Sequence, residues 1–313
     1  MPVLPPTGAT NPTNWVQTDA SQTASDALAR TVLGWYGTNA RDLPWRRADA
    51  SPWAVMVSEF MLQQTPVARV LPAYRAWLAR WPNPADLAAE PPGEAVRQWG
   101  NLGYPRRALR LHASARAIAE RHGGEVPSAH DELRALPGVG DYTAAAVAAF
   151  AFRQRHAVLD TNVRRVLARL VDGVEHPPRA QTAAERRLAE SLLPADPPTA
   201  ARWSVAIMEL GALVCTARSP RCTDCPVTSG CAWRLAGRPA HDGPQRRGQG
   251  YNGTDRQARG RLLAVLRDAA GPVPPEQLAA AWDEPVQRAR ALDGLVADGL
   301  VEPLPDGRYA LPR

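Results

Sequence analysis

Residues 136–147 read LPGVGDYTAAAV. Two glycines, Gly138 and Gly140, follow a proline and lead into an alanine-rich helical pattern from about Tyr142. Glycine permits turns and close backbone approaches that other residues resist. The amides that open the next helix can face an anion such as a phosphate. A contact of that kind reads a nucleic-acid backbone, not its sequence. A lone G-x-G between helices is ordinarily just a turn, so the stretch takes its meaning from what surrounds it.

Outward from the hairpin, helical periodicity recurs from Ser25 to about Arg234. It is broken only by short turns such as Trp81-Pro82-Asn83-Pro84, Pro91-Pro92-Gly93 and Gly123-Gly124. No strand alternation interrupts this body, and it reads as all-α. Residues 1–24, rich in Thr, Pro, Asn and Ala, predict a disordered lead-in. Residues 236–250 predict a flexible basic linker. The tail from Tyr251 predicts helices near 256–269, 275–282 and 285–298. They are followed by a hairpin turning at Asp306-Gly307, together a small winged-helix-like domain.

The four cysteines, Cys215, Cys222, Cys225 and Cys231, all lie in one 17-residue stretch with spacing C-x6-C-x2-C-x5-C. The start of the chain lacks the charged and apolar regions of a signal peptide and no apolar run approaches membrane length, so a reducing, cytoplasmic setting is expected. That setting disfavours disulfides. Zinc ribbons pair two C-x2-C knuckles and this stretch has one. The spacing therefore favours an iron–sulfur cluster over zinc, with zinc left open on spacing alone.

Two carboxylates stand out. Glu59 is the one charge in WAVMVSEFMLQQ (53–64), a segment apolar almost all round its helix. A buried carboxylate is costly, and burial raises its pKa toward what a general acid needs. Asp160 ends HAVLD and precedes the helical TNVRRVLARL. An N-cap is its plain reading, and the helix N-terminus would help keep it ionised. One protonated and one ionised carboxylate suit glycosidic bond cleavage.

Together these stretches (LPGVGDYTAAAV, WSVAIMELGALVC with its 6-2-5 cysteines, SEFMLQQT and VLDTNVRRVLARL) resemble the helix-hairpin-helix DNA glycosylases, and within them the adenine DNA glycosylases of the MutY type. The resemblance implies an iron–sulfur helical domain (25–50 and 159–235) holding a [4Fe–4S] cluster, and a six-helix barrel (51–158) bearing the hairpin. The hairpin residues Leu136, Gly138, Val139 and Gly140 would bind DNA, with a monovalent cation often held on the hairpin carbonyls. Glu59 would protonate adenine N7, and Asp160 would stabilise the sugar cation, with Asn162 near the leaving base. Gln64 and Tyr104 match positions that wedge beside a flipped nucleotide, beside Thr65; a core aromatic is the competing reading of Tyr104. Flipping itself is a necessity, because the glycosidic bond is inaccessible in the stack. In RDLPWR, residues Arg41, Leu43, Trp45 and Arg46 match the adenine pocket. The substrate implied is double-stranded DNA with adenine opposite 8-oxoguanine or guanine, met by a monomer at the nucleoid.

The chain has no lysine; all 37 basic side chains, in a net charge of +6, are arginine. No ε-amine is available for Schiff-base chemistry. The related endonuclease-III type cuts the strand with a lysine two residues beyond the second hairpin glycine, where this chain has Tyr142, a further site residue. A monofunctional enzyme is expected. An iron–sulfur DNA-binding regulator is the reading from a different class. Two departures stand: no Phe-Ser-His element occurs in the tail, and Ser204-Val205 replaces an Asn followed by Gln or Glu.

Overall fold

A computed structural model describes residues 19–241, 243 and 250–313. The helices are α1 (Asp19–Asn39), α2 (Pro52–Leu62), α3 (Val67–Arg80), α4 (Pro84–Ala88), α5 (Pro92–Trp99), α6 (Arg106–Arg121), α7 (His130–Arg134) and α8 (Asp141–Phe152). There follow α9 (Thr161–Leu167), α10 (Ala183–Ser191), α11 (Pro197–Leu213), α12 (Ala232–Leu235), α13 (Asp255–Asp268), α14 (Pro275–Ala281) and α15 (Pro285–Ala297). Two short strands, β1 (Glu302–Pro303) and β2 (Tyr309–Ala310), close the chain. Helix α1 begins at Asp19, six residues before the expected start, and most of the predicted lead-in lies outside the described residues. Proline opens α2, α4, α5, α11, α14 and α15, where its missing N–H goes unneeded.

The chain divides into two compact units, 1–43 with 148–244 and 44–147 with 245–313. In the first, Ala29 and Val32 of α1, Val163 and Val166 of α9, and Trp203, Ile207 and Leu210 of α11 share one apolar core. Cys215, Cys225 and Cys231 pack against its edge.

The second unit centres on α2, whose residues Trp53–Met61 are all buried. Trp77 packs edge-on against Trp81 and Trp99, at 4.7 and 5.7 Å between ring centroids. The tail has the three helices and hairpin predicted, with Glu302 paired to Ala310 and Pro303 to Tyr309, and a further bridge from Val273 to Tyr309. It does not stand apart as a separate body. Gly93 N–H donates to the Pro312 carbonyl at 2.8 Å, Arg97 to the Ala269 carbonyl at 2.9 Å, and Arg267 to the Val96 carbonyl at 3.0 Å. These polar contacts fasten the tail to α5. Of the predicted linker, residues 242 and 244–249 lie outside the described residues.

Candidate active site

Helix α2 presents Glu59 from its buried face, 5% exposed. The Ser51 hydroxyl caps the helix by accepting from Ala54 N–H at 3.1 Å. Tyr142, on the first turn of α8, donates its hydroxyl to Glu59 Oε2 at 2.9 Å. The residue picked out for not being lysine is thus a partner of the proposed acid.

The hairpin joins α7 to α8. Gly138 has φ +77°, and a Cβ there would meet the Arg110 side chain at 2.6 Å, so both conformation and space require glycine. Gly140 faces open space. Leu136 and Val139 are buried, so their side chains anchor the turn while exposed Gly138 and Gly140 offer backbone.

Gln64 and Tyr104 are both exposed and both left-handed, at φ 55° and 48°. Such strain in non-glycine residues persists only where surrounding structure enforces it. Tyr104 is 56% exposed, which overturns the core-aromatic reading. The enforcing residue is Arg107, which the sequence did not single out. It is buried, donates to the carbonyls of Phe60 (2.9 Å) and Gly103 (3.0 Å) and to Thr65 Oγ1 (3.0 Å), and lies 5.4 Å from the Tyr104 ring. Burial pulls its pKa down to about 10. Thr65, itself buried, spends its hydroxyl inside this network and braces the turn.

In the first unit, Asp160 caps α9: Oδ1 accepts from Val163 N–H at 2.6 Å and Oδ2 from Asn162 Nδ2 at 2.8 Å. Burial pushes its carboxyl up from the usual range, and the Val163 amide, Asn162 and Arg165 offset this only in part. The sequence reading expected the helix terminus to prevail; desolvation outweighs it. Arg165 Nη2 donates to Asn162 Oδ1 at 2.8 Å and its Nε to the Cys215 carbonyl at 2.8 Å. Gly211 lets α11 approach this turn, since a Cβ there would meet Asn162 Cβ at 2.8 Å.

Of the RDLPWR residues, Leu43 and Trp45 are buried, Trp45 edge-on to Tyr74 at 5.0 Å, and Arg46 is half-buried. Arg41 is paired with Glu209 of α11 at 2.6 Å. Glu209 was also missed. The signal was available, because it is the one charge in WSVAIMELGALVC, as Glu59 is in its own helix.

Comparison with known proteins fits this geometry. Residues 57–191 match the HhH-GPD superfamily base excision DNA repair protein model, and residues 215–231 the iron–sulfur binding domain of endonuclease III. An adenine DNA glycosylase of Mycobacterium tuberculosis is 54% identical over 90% of this chain and 92% of its own length. The chain belongs to the adenine DNA glycosylase family. The human adenine DNA glycosylase is 42% identical over 66% of this glycosylase and 39% of its own length. Among solved structures, a thermostable thymine-DNA glycosylase superposes with TM-score 0.62 at 27% identity, over 70% of this chain and all of its own. A trapped endonuclease III–DNA intermediate shares the fold, with TM-score 0.59 at 22% identity, over 71% of this chain and 99% of that one.

The protein is a DNA-binding base excision repair glycosylase with a [4Fe–4S] site, and its cysteines suit that group. None is in a disulfide, and each is half-buried. Burial and the neighbouring thiols push Cys225 up to about 11 and Cys231 up as well, so ionising these two calls for a cationic centre. Among the described residues no three His, Cys, Asp or Glu are placed to share one metal ion. Thiolates on a single zinc would crowd within about 4 Å of each other. A cubane takes its four thiolates at four separate irons, and the four cysteines of this loop can supply them. Arg169, buried beneath the loop, donates to Cys215 Sγ at 3.4 Å and to the Thr216 carbonyl at 2.7 Å. Among the described residues no helix of the glycosylase is long and apolar enough to cross a membrane.

Proposed function

We propose that this glycosylase hydrolyses the N-glycosidic bond of adenine mispaired with 8-oxoguanine or guanine in double-stranded DNA, leaving the strand intact. The observation that carries the reading is the buried Glu59 carboxyl held by the Tyr142 hydroxyl. A carboxyl kept from water is suited to hold a proton for a leaving base. The tyrosine occupies the position at which a strand-cutting relative needs an amine, in a chain without lysine.

In this reading Glu59 delivers its proton to adenine N7 and the C1′–N bond breaks with its electron pair passing to the base. The Asp160 carboxylate stabilises the oxocarbenium-like sugar. Water adds to C1′ and gives up a proton, leaving an abasic site. Asn162 orients Asp160 and lies by the leaving base. Gln64 and Tyr104 wedge into the stack around the extruded nucleotide, and Arg41, Leu43, Trp45 and Arg46 serve the adenine base. Gly138 and Gly140 present amides to a phosphate, and the hairpin carbonyls would take a monovalent cation. The cysteines would hold the [4Fe–4S] group, which when bound supplies a rigid cationic core to the loop and takes no part in hydrolysis. The enzyme would act as a monomer, in the cytoplasm at the nucleoid.

The test is single-turnover adenine release from a duplex carrying adenine opposite 8-oxoguanine. Base release with strand cleavage only after alkali is expected. Nicking without alkali would overturn the monofunctional reading, and intact adenine despite tight binding would favour a DNA-binding regulator. Glu59→Gln should abolish release and leave binding unchanged.

A further inference from the structure

Glu209 is fully buried, and its carboxylate accepts three N–H groups of a single residue. These are the Arg41 backbone amide at 3.1 Å, Nε at 2.8 Å and Nη2 at 2.6 Å. A desolvated ion pair is seldom worth keeping for stability, because a well-packed apolar side chain serves as well or better. Its value must lie in what it does to Arg41, whose side chain is 34% exposed.

Two consequences follow from the geometry. Guanidinium is planar, so fixing Nε and Nη2 fixes the direction of the remaining Nη1 edge. Among the described residues that edge makes no hydrogen bond. The second consequence is charge. Adenine leaves as a protonated base from a sugar turning cationic, and a bare guanidinium beside it would oppose both. Glu209 offsets that charge. Val205, one turn earlier on α11, contributes no polar group.

We propose that Glu209 is a positioning residue: through Arg41 it sets the direction and the net charge of the edge that meets the adenine base, and so governs the bond-breaking step more than DNA binding. The inference rests on the adenine reading above.

The test compares wild type with Glu209→Gln, Arg41→Gln and the double variant. It measures single-turnover adenine release opposite 8-oxoguanine and affinity for the same duplex bearing a non-cleavable adenine nucleotide. Thermal midpoint and visible cluster absorbance are followed alongside. Glu209→Gln should slow release at least tenfold with affinity within threefold, and the double variant should be no slower than the slower single. Wild-type release by Glu209→Gln, or losses that multiply in the double variant, would overturn the proposal. If Glu209→Gln loses its cluster absorbance, Arg41→Lys decides, since it keeps the charge pair without the planar fork. A fivefold slower release at an unchanged thermal midpoint supports positioning, and a wild-type rate overturns it. Failure of the wild-type chain to release adenine from either mispair would sink the adenine reading and this inference together; normal wild-type release with unaffected variants sinks the inference alone.

Discussion

Arg107 Nη2 lies 3.0 Å from Thr65 Oγ1, and through that contact one buried guanidinium holds two turns distant in sequence. One turn carries Gln64 and the other Tyr104, each exposed and each in a backbone conformation that only enforcement sustains. Arg107→Ala would strip the Phe60 carbonyl and the buried Thr65 hydroxyl of the guanidinium donor they share, while Trp99 Nε1 would still donate to the Gly103 carbonyl. A stability loss of about 3 kcal/mol or more is expected by denaturant unfolding, with partial recovery in Arg107→Lys. Fluorescence of 2-aminopurine at the target position should show slower extrusion; unchanged stability would contradict the role.

Tyr142→Phe removes the hydroxyl that Glu59 Oε2 accepts. The expected cost is about 1.4 kcal/mol in the chemical step, roughly a tenfold slower single turnover, with DNA affinity retained. A full wild-type rate would show that Tyr142 does not tune the acid.

Asp160 gives a pH-dependent test with a definite sign. Its folded-state pKa is raised by burial, so the native state holds that proton more tightly than the unfolded chain does. Its contribution to stability is therefore full below the unfolded value and lost as pH rises through the folded one. Asp160→Asn should be more stable than wild type at pH 7 while inactive, and the gap should narrow on acidification. The acid limb of the wild-type rate profile should lie above the ordinary carboxylate value of 3.8. A gap that widens with acid would refute this.

Gly211→Ala would drive a methyl group into Asn162, whose carbonyl oxygen also lies 2.9 Å from that position. Overpacking of this kind costs about 1–3 kcal/mol. Because Asn162 holds Asp160, adenine release should fall further than stability accounts for; a rate loss that thermal unfolding fully explains would argue against the link.

Gly93→Ala tests the tail. The added Cβ would meet the Pro312 carbonyl oxygen at 2.5 Å and Leu311 Cβ at 2.9 Å. The tail (251–313) carries eight arginines against nine aspartates and glutamates, unlike the basic chain as a whole. The variant should lose about 1–3 kcal/mol of stability with little change in duplex affinity measured across salt. Weakened DNA binding at equal stability would make the tail a DNA reader.

What was legible in the sequence follows from which forces act locally. The hairpin, the cap at Asp160, the proline-opened helices and the Asp306-Gly307 turn are short-range features, and each sits where its residues indicate. The single charge in an apolar helix pointed to Glu59, and the same logic reaches Glu209. Arg107 left no such mark: in GNLGYPRRALRLH it is one arginine of three, and only packing decides which of them goes inside. The burial of Leu43, Trp45 and Thr65 was equally hidden, because the resemblance assigns a position and says nothing of which way its side chain points. The tail's attachment depends on Gly93 and Pro312, 219 residues apart.

The hairpin and the wedge turns share one support. Along α6, Arg107 pins the turns of Gln64 and Tyr104, Arg110 forms the floor beneath Gly138, and the Ser114 hydroxyl holds the Pro137 carbonyl. These residues fall three and four apart, so they share a face over roughly 10 Å of helix. Helix α6 thus works as a ruler. It fixes the distance and the rotational phase between the point where a strand would be gripped and the point where it would be prised open. Inserting one residue between Arg107 and Arg110 would turn the two ends out of phase by about 100°, leaving a protein able to hold DNA at one mark while probing it at the wrong one.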